Sequence, residues 1–145
     1  MKKIMLLLAM VATFFAASAR ETVSHDASVL PKAAQVLIKN NFKAKVNHIK
    51  IDKELGRVTE YDVVLTDGSE ISFDRNGNWK EVEVANNASV PAAFVPNTVS
   101  AYVKQNQKNA KIVGIEKTHK GYTVELSNGV EMKFNPNGKF LHYDD

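Results

Sequence analysis

Two thirteen-residue segments of this chain align with each other. Tyr61–Phe73 reads YDVVLTDGSEISF and Tyr122–Phe134 reads YTVELSNGVEMKF. Tyr, Val, Leu, Gly, Glu and Phe coincide, and Asp67-Gly68 matches Asn128-Gly129. Each segment runs into an Asn-Gly loop, FDRNGNW at 73–79 and FNPNGKF at 134–140. Upstream, Leu30-Pro31 is mirrored by Val95-Pro96, and each pair opens a helix-like stretch. Matched turns together with matched alternation are the signature of an internal duplication.

The elements follow from periodicity. Pro31 suits the first turn of a helix, where its missing N–H is not needed. Ala34, Leu37, Ile38 and Phe42 then recur at helical spacing, as do Val99, Tyr102 and Val103 after Pro96. In the strands, Ile49 and Ile51, then Tyr61, Val63 and Leu65, then Ile71 and Phe73 alternate with polar residues. That is period two with one apolar face. Asp67-Gly68 and Asn128-Gly129 are hairpin signals, because Gly, Asn and Asp tolerate the positive φ of tight turns. The predicted fold is α+β: two tandem helix-plus-four-strand repeats forming one antiparallel sheet of about eight strands, with the helices on one face. The other face is expected to be open to water, as antiparallel sheets allow. The predicted boundaries are a signal peptide at 1–19, an N-terminal lead at 20–28, repeat 1 at 29–85, a linker at 86–91 and repeat 2 at 92–145.

The Asn-Gly loops read as turns. Asp74-x-Asn76-Gly77-Asn78 lacks the spaced oxygens and terminal bidentate Glu of a familiar calcium loop. The matching loop has Pro136 inside it and Lys139 after it. Asn-Pro-Asn-Gly suits a type I turn followed by a Gly bulge. This turn sets Phe134 across from Phe140, and Phe73 across from Trp79, on the helix-covered face. A two-residue turn would flip Trp79 and Phe140 outward instead. Val82 and Val84 have the opposite parity to Trp79, so either a bulge intervenes or those valines face outward.

Lys2, Lys3, an apolar run from Ile4 to Ala17 and the small residues Ala17-Ser18-Ala19 have the layout of a secretory signal peptide. Cleavage is expected after Ala19, giving a periplasmic or secreted protein with no stable membrane insertion. The chain contains no Cys, so neither disulfides nor a lipidated cysteine can form. Its formal net charge of +3 includes the two lysines of the signal. The remainder is nearly neutral and has no basic stripe, which argues against nucleic acid as a partner.

Catalytic and metal signatures are missing from the sequence. His25, His48, His119 and His142 are scattered, without zinc spacing. There is no nucleophile elbow and no phosphate loop. The reading is a non-enzyme with no cofactor, no metal site and no catalytic residues.

The Leu-Pro helix opening and the Tyr-x-Val-x-Leu-x-Asp/Asn-Gly-x-Glu-x-x-Phe-x-x-Asn-Gly-x-Trp/Phe segment resemble the PepSY-like family. These are beta-lactamase-inhibitor-like secreted proteins of Bacteroides-type bacteria. The resemblance covers residues 28–143. It implies tandem helix-plus-strand units, an extracytoplasmic location, and relatives that bind enzymes through the concave face of the sheet. The expected function is an inhibitor-like, non-enzymatic protein-binding module using the open sheet face to hold an unknown envelope or secreted protein. The candidate surface is Asp62, Val64, Glu70 and Ser72 with Thr123, Glu125, Glu131 and Lys133. The alternative is a small-ligand or peptide binder in envelope homeostasis, which requires an apolar cavity between sheet and helices.

Overall fold

The computed structural model describes residues 19–144. The predicted signal peptide lies outside the described residues, apart from the backbone of Ala19. The strands are β1 (Ala19–Ser24), β2 (Val46–Glu54), β3 (Arg57–Leu65), β4 (Glu70–Asp74), β5 (Trp79–Glu83), β6 (Ile112–Thr118), β7 (Gly121–Leu126), β8 (Glu131–Phe134) and β9 (Phe140–Asp144). Two helices, α1 (Lys32–Asn41) and α2 (Asn97–Asn106), precede β2 and β6. In the sheet the strands lie in chain order from β1 to β9.

This corrects the predicted architecture. The fold is mostly one nine-stranded antiparallel sheet with two short helices, not a tandem of two helix-plus-four-strand repeats with eight strands. The additional strand is β1, formed by Ala19, the last residue assigned to the signal peptide, and by residues 20–24 of the predicted N-terminal lead. It pairs antiparallel with β2, Thr22 opposite Ile51 and Ser24 opposite Ile49. Asp26 closes the segment: its carboxylate accepts a hydrogen bond from the Ser28 N–H at 2.9 Å and caps a 3-10 turn.

The chain divides at Lys80/Glu81 into two compact units. In the first, the register aligns Ile49, Val63 and Ile71 in one cross-strand row and Ile51, Tyr61 and Phe73 in the next. All six are buried, together with Leu30, Ala34 and Ile38. The helix therefore buries the stripe its periodicity marks. Pro31 caps α1 and leaves its carbonyl to accept from the Gln35 N–H.

In the second unit one row runs Val82, Ile115, Val124, Met132 and Tyr143. Val82 is fully buried, so it takes the core side. Val99 and Val103 of α2 are buried as well. Phe134 stands opposite Phe140. Tyr102 of α2 stacks on Phe140 at 4.5 Å between ring centroids and meets Phe134 edge-on at 5.8 Å. These are the offset-stacked and T-shaped geometries that aromatic quadrupoles favour.

The Asn-Gly loops are the turn-plus-bulge type. The Gly138 N–H donates to the Asn135 carbonyl, and the Asn135 N–H to the Lys139 carbonyl, with Gly138 at φ +81°. Asp74, Gly77 and Asn78 repeat the pattern, with Gly77 at φ +86°. A type I turn followed by one left-handed residue turns the chain without flipping the strand that follows. Phe140 thereby stays on the helix side.

Candidate functional site

Alternation sends the remaining side chains of each strand to the opposite face. Register then decides which of them meet. In the first unit, Asp62 stands opposite Ser72 on β4 and opposite Lys50 on β2. Val64 stands opposite Glu70 and His48. The next row along is Glu21, Asp52, Glu60 and Asp74. The four residues predicted on this unit therefore come together as two adjacent cross-strand pairs. Flanking residues that sequence reasoning missed join them from β1 and β2.

The face is more enclosed than a freely solvated surface. Ser72 is only 5% exposed. Its hydroxyl donates to Asp62 Oδ1 at 2.7 Å. Burial pushes the Asp62 carboxyl up to about 6, while the Ser72 hydrogen bond pulls it down, Glu60 and Glu70 add to the rise and Lys50 opposes it. The Asp52 carboxyl is also raised, by burial and then by the nearby Asp62 charge. Lys80 Nζ reaches Glu60 Oε1 at 3.5 Å.

In the second unit one row runs Glu83, Gly114, Glu125, Glu131 and Asp144. The adjacent row runs Glu81, Glu116, Thr123, Lys133 and His142. Predicted Thr123 and Lys133 are direct neighbours, as are Glu125 and Glu131. Both of those glutamates are 8% exposed, buried where alternation alone suggests solvated side chains. Gly114 lies beside Glu125 in this row, and a Cβ there would meet the Glu125 Cβ at 3.6 Å, an ordinary van der Waals contact. Lys133 Nζ pairs with Asp144 Oδ2 at 3.6 Å. The row is an acidic ladder with a lysine beside it. Its end members, Glu83 and Asp144, and Glu116 of the adjacent row were missed because offsets between strands are not written in any one strand.

Among the described residues, no group of three or more His, Cys, Asp or Glu side chains is placed to hold a metal ion. The Asp74 carboxylate accepts from the Asn76 and Asn78 backbone N–H groups at 2.8 and 3.0 Å, and from the Asn78 side chain. It is spent on the turn. Among the described residues, no helix is long and apolar enough to cross a membrane.

The chain belongs to the PepSY-like family, described as "putative beta-lactamase-inhibitor-like, PepSY-like", whose model matches residues 59–142. It is similar to a crystal structure from Bacteroides vulgatus described as a "putative periplasmic protein of unknown function". That match has 42% identity, a TM-score of 0.80, and covers 87% of this chain and 100% of that one. A "putative calcium-regulated periplasmic protein" from Bacteroides thetaiotaomicron is 33% identical with a TM-score of 0.78, covering 86% and 97%. A third, a "putative periplasmic protein" from Bacteroides vulgatus, is 34% identical with a TM-score of 0.76, covering 90% and 99%. No functionally curated protein matches the chain.

Proposed function

We propose that this protein is a non-enzymatic periplasmic binding module, inhibitor-like in its mode, whose polar sheet faces hold another envelope or secreted protein. The observation that carries the reading is the set of cross-strand pairs on the sheet faces, Asp62 opposite Ser72 and Val64 opposite Glu70 in the first unit and Thr123 opposite Lys133 in the second. Charged and polar side chains fixed in rows on rigid strands give a partner a set pattern to match, and charge complementarity orients such an encounter. The partner is a protein whose polar and charged groups complement these rows. The family description supports the inhibitor-like mode. The periplasmic relatives support export, and cleavage after Ala19 is inferred from the small residues Ala17-Ser18-Ala19 alone. Calcium regulation, named for one relative, gains no donor cluster among the described residues here.

The test is affinity capture from envelope extract on immobilised protein, with free protein as competitor. A specific partner is retained, and the loss of retention on Glu70→Lys or Lys133→Glu, with unchanged melting, places it on the sheet. Retention untouched by both substitutions removes these faces from consideration.

A further inference from the structure

A groove of about 590 Å³ runs between the C-terminal half of α1 and the start of β2. Leu30, Ile38, Phe42 and Val46 supply its apolar lining. Lys39, Lys43 and Lys45 stand around it, all three exposed, and none of its lining residues is acidic. His25 lies at the same groove with Nδ1 3.0 Å from the Asn47 carbonyl oxygen. The volume falls within the range of small-molecule sites, about 300–1,000 Å³.

We propose that this groove binds a single-chain amphiphile with one anionic head, of the free fatty-acid class. The apolar lining takes the tail, and the three lysines take the carboxylate. Charge complementarity selects this occupant. Lys39 alone fits the ordinary role of a cation at a helix C-terminus. Lys43 and Lys45 lie beyond the helix, and that role does not explain them. Three cations around an apolar surface without a counter-acid match a ligand that is apolar at one end and negative at the other. This site is separate from the sheet faces and does not depend on them.

Isothermal titration and thermal melting of the purified protein with laurate, dodecanol and anionic phosphatidylglycerol vesicles test the proposal. Laurate should bind saturably at one site and raise the melting temperature, because a ligand specific to the folded state stabilises it. Dodecanol, with the same tail and no charge, should bind about tenfold more weakly. Lys39→Glu/Lys43→Glu should weaken laurate by about tenfold while leaving dodecanol unchanged. Ala44→Phe, which narrows the groove, should weaken both. The proposal is overturned by absence of saturable laurate binding, by equal binding of laurate and dodecanol, or by capture on vesicles without laurate binding. If Lys39→Glu/Lys43→Glu also fails to fold, Lys43→Gln and Lys45→Gln singly give the same readout. Each should weaken laurate alone, and no effect from either overturns the assignment of the head.

Discussion

Gly77 rests against Pro31: a methyl group placed on its Cα would lie 2.8 Å from the proline Cβ. The tip of the β4–β5 turn thus sits on the first turn of α1. Gly138 in the β8–β9 turn stands against Thr98 and Val99 of α2 in the same way. Each glycine meets two demands at once, a left-handed backbone and room for a close neighbour. Gly77→Ala should destabilise the protein by roughly 2–4 kcal/mol, from strain at φ +86° plus overpacking. Urea unfolding would measure it, and a loss below about 1 kcal/mol would show that the turn can lift off the helix.

Asp62 gives a pH-dependent prediction. Its folded carboxyl is raised from 3.8 to about 6, so the folded state holds its proton more tightly than the unfolded state. That contribution is fully present below the unfolded value and is lost as pH rises through about 6. Above this window the residue is a liability. Asp62→Asn should stabilise the protein at about pH 7 by on the order of 1–2 kcal/mol, discounted for screening, with the gain vanishing near pH 4. Melting curves across that range check it. A pH-independent effect would assign the change to the Ser72 contact instead.

The turn anchors are a third target. Asp74 and Asn135 each accept two backbone N–H groups with one side-chain oxygen. Alanine at either position should cost about 1–2 kcal/mol, measured by equilibrium denaturation. Asp74→Asn keeps the acceptor, so it should retain most of the lost stability. Failure to do so would mean that the charge, rather than the geometry, holds the turn.

Leu55 is the fourth. It sits at the tip of the β2–β3 hairpin with φ +50° and is 85% exposed. A branched apolar side chain gains little there and strains the backbone. Leu55→Asn, which creates the favoured Asn-Gly pair with Gly56, should raise stability by about 0.5–1 kcal/mol. A lower melting temperature would show that Leu55 makes a stabilising contact.

Much of the local structure was legible because each signal lies within one short stretch. The stripe of Ala34 and Ile38, the alternation in β3 and the bulged turn at Asn135–Lys139 each need only a few consecutive residues. β1 was not legible. It is an edge strand with Arg20, Glu21, Thr22 and Val23 all exposed, so no side of it had to be apolar. Without a buried side there is no period to read. The predicted site residues occupy neighbouring positions, yet their enclosure was invisible. Register shifts between Ile112 and Gly114, and between Lys133 and Phe134, fix which carboxylates meet. Such shifts are a property of pairs of strands rather than of either strand alone.

The sequential strand order has a consequence for how the chain assembles. Every strand after the first pairs back onto the one made just before it. A polypeptide delivered N-terminus first never has to hold a finished edge open for a distant segment. Within β2–β5 and β6–β9 each strand can zip onto the one before it with a short loop closure, while the helix-bearing connections into β2 and β6 are longer. Such a chain suits assembly in the order of its synthesis, where the only sequence available for pairing is the sequence that has already arrived.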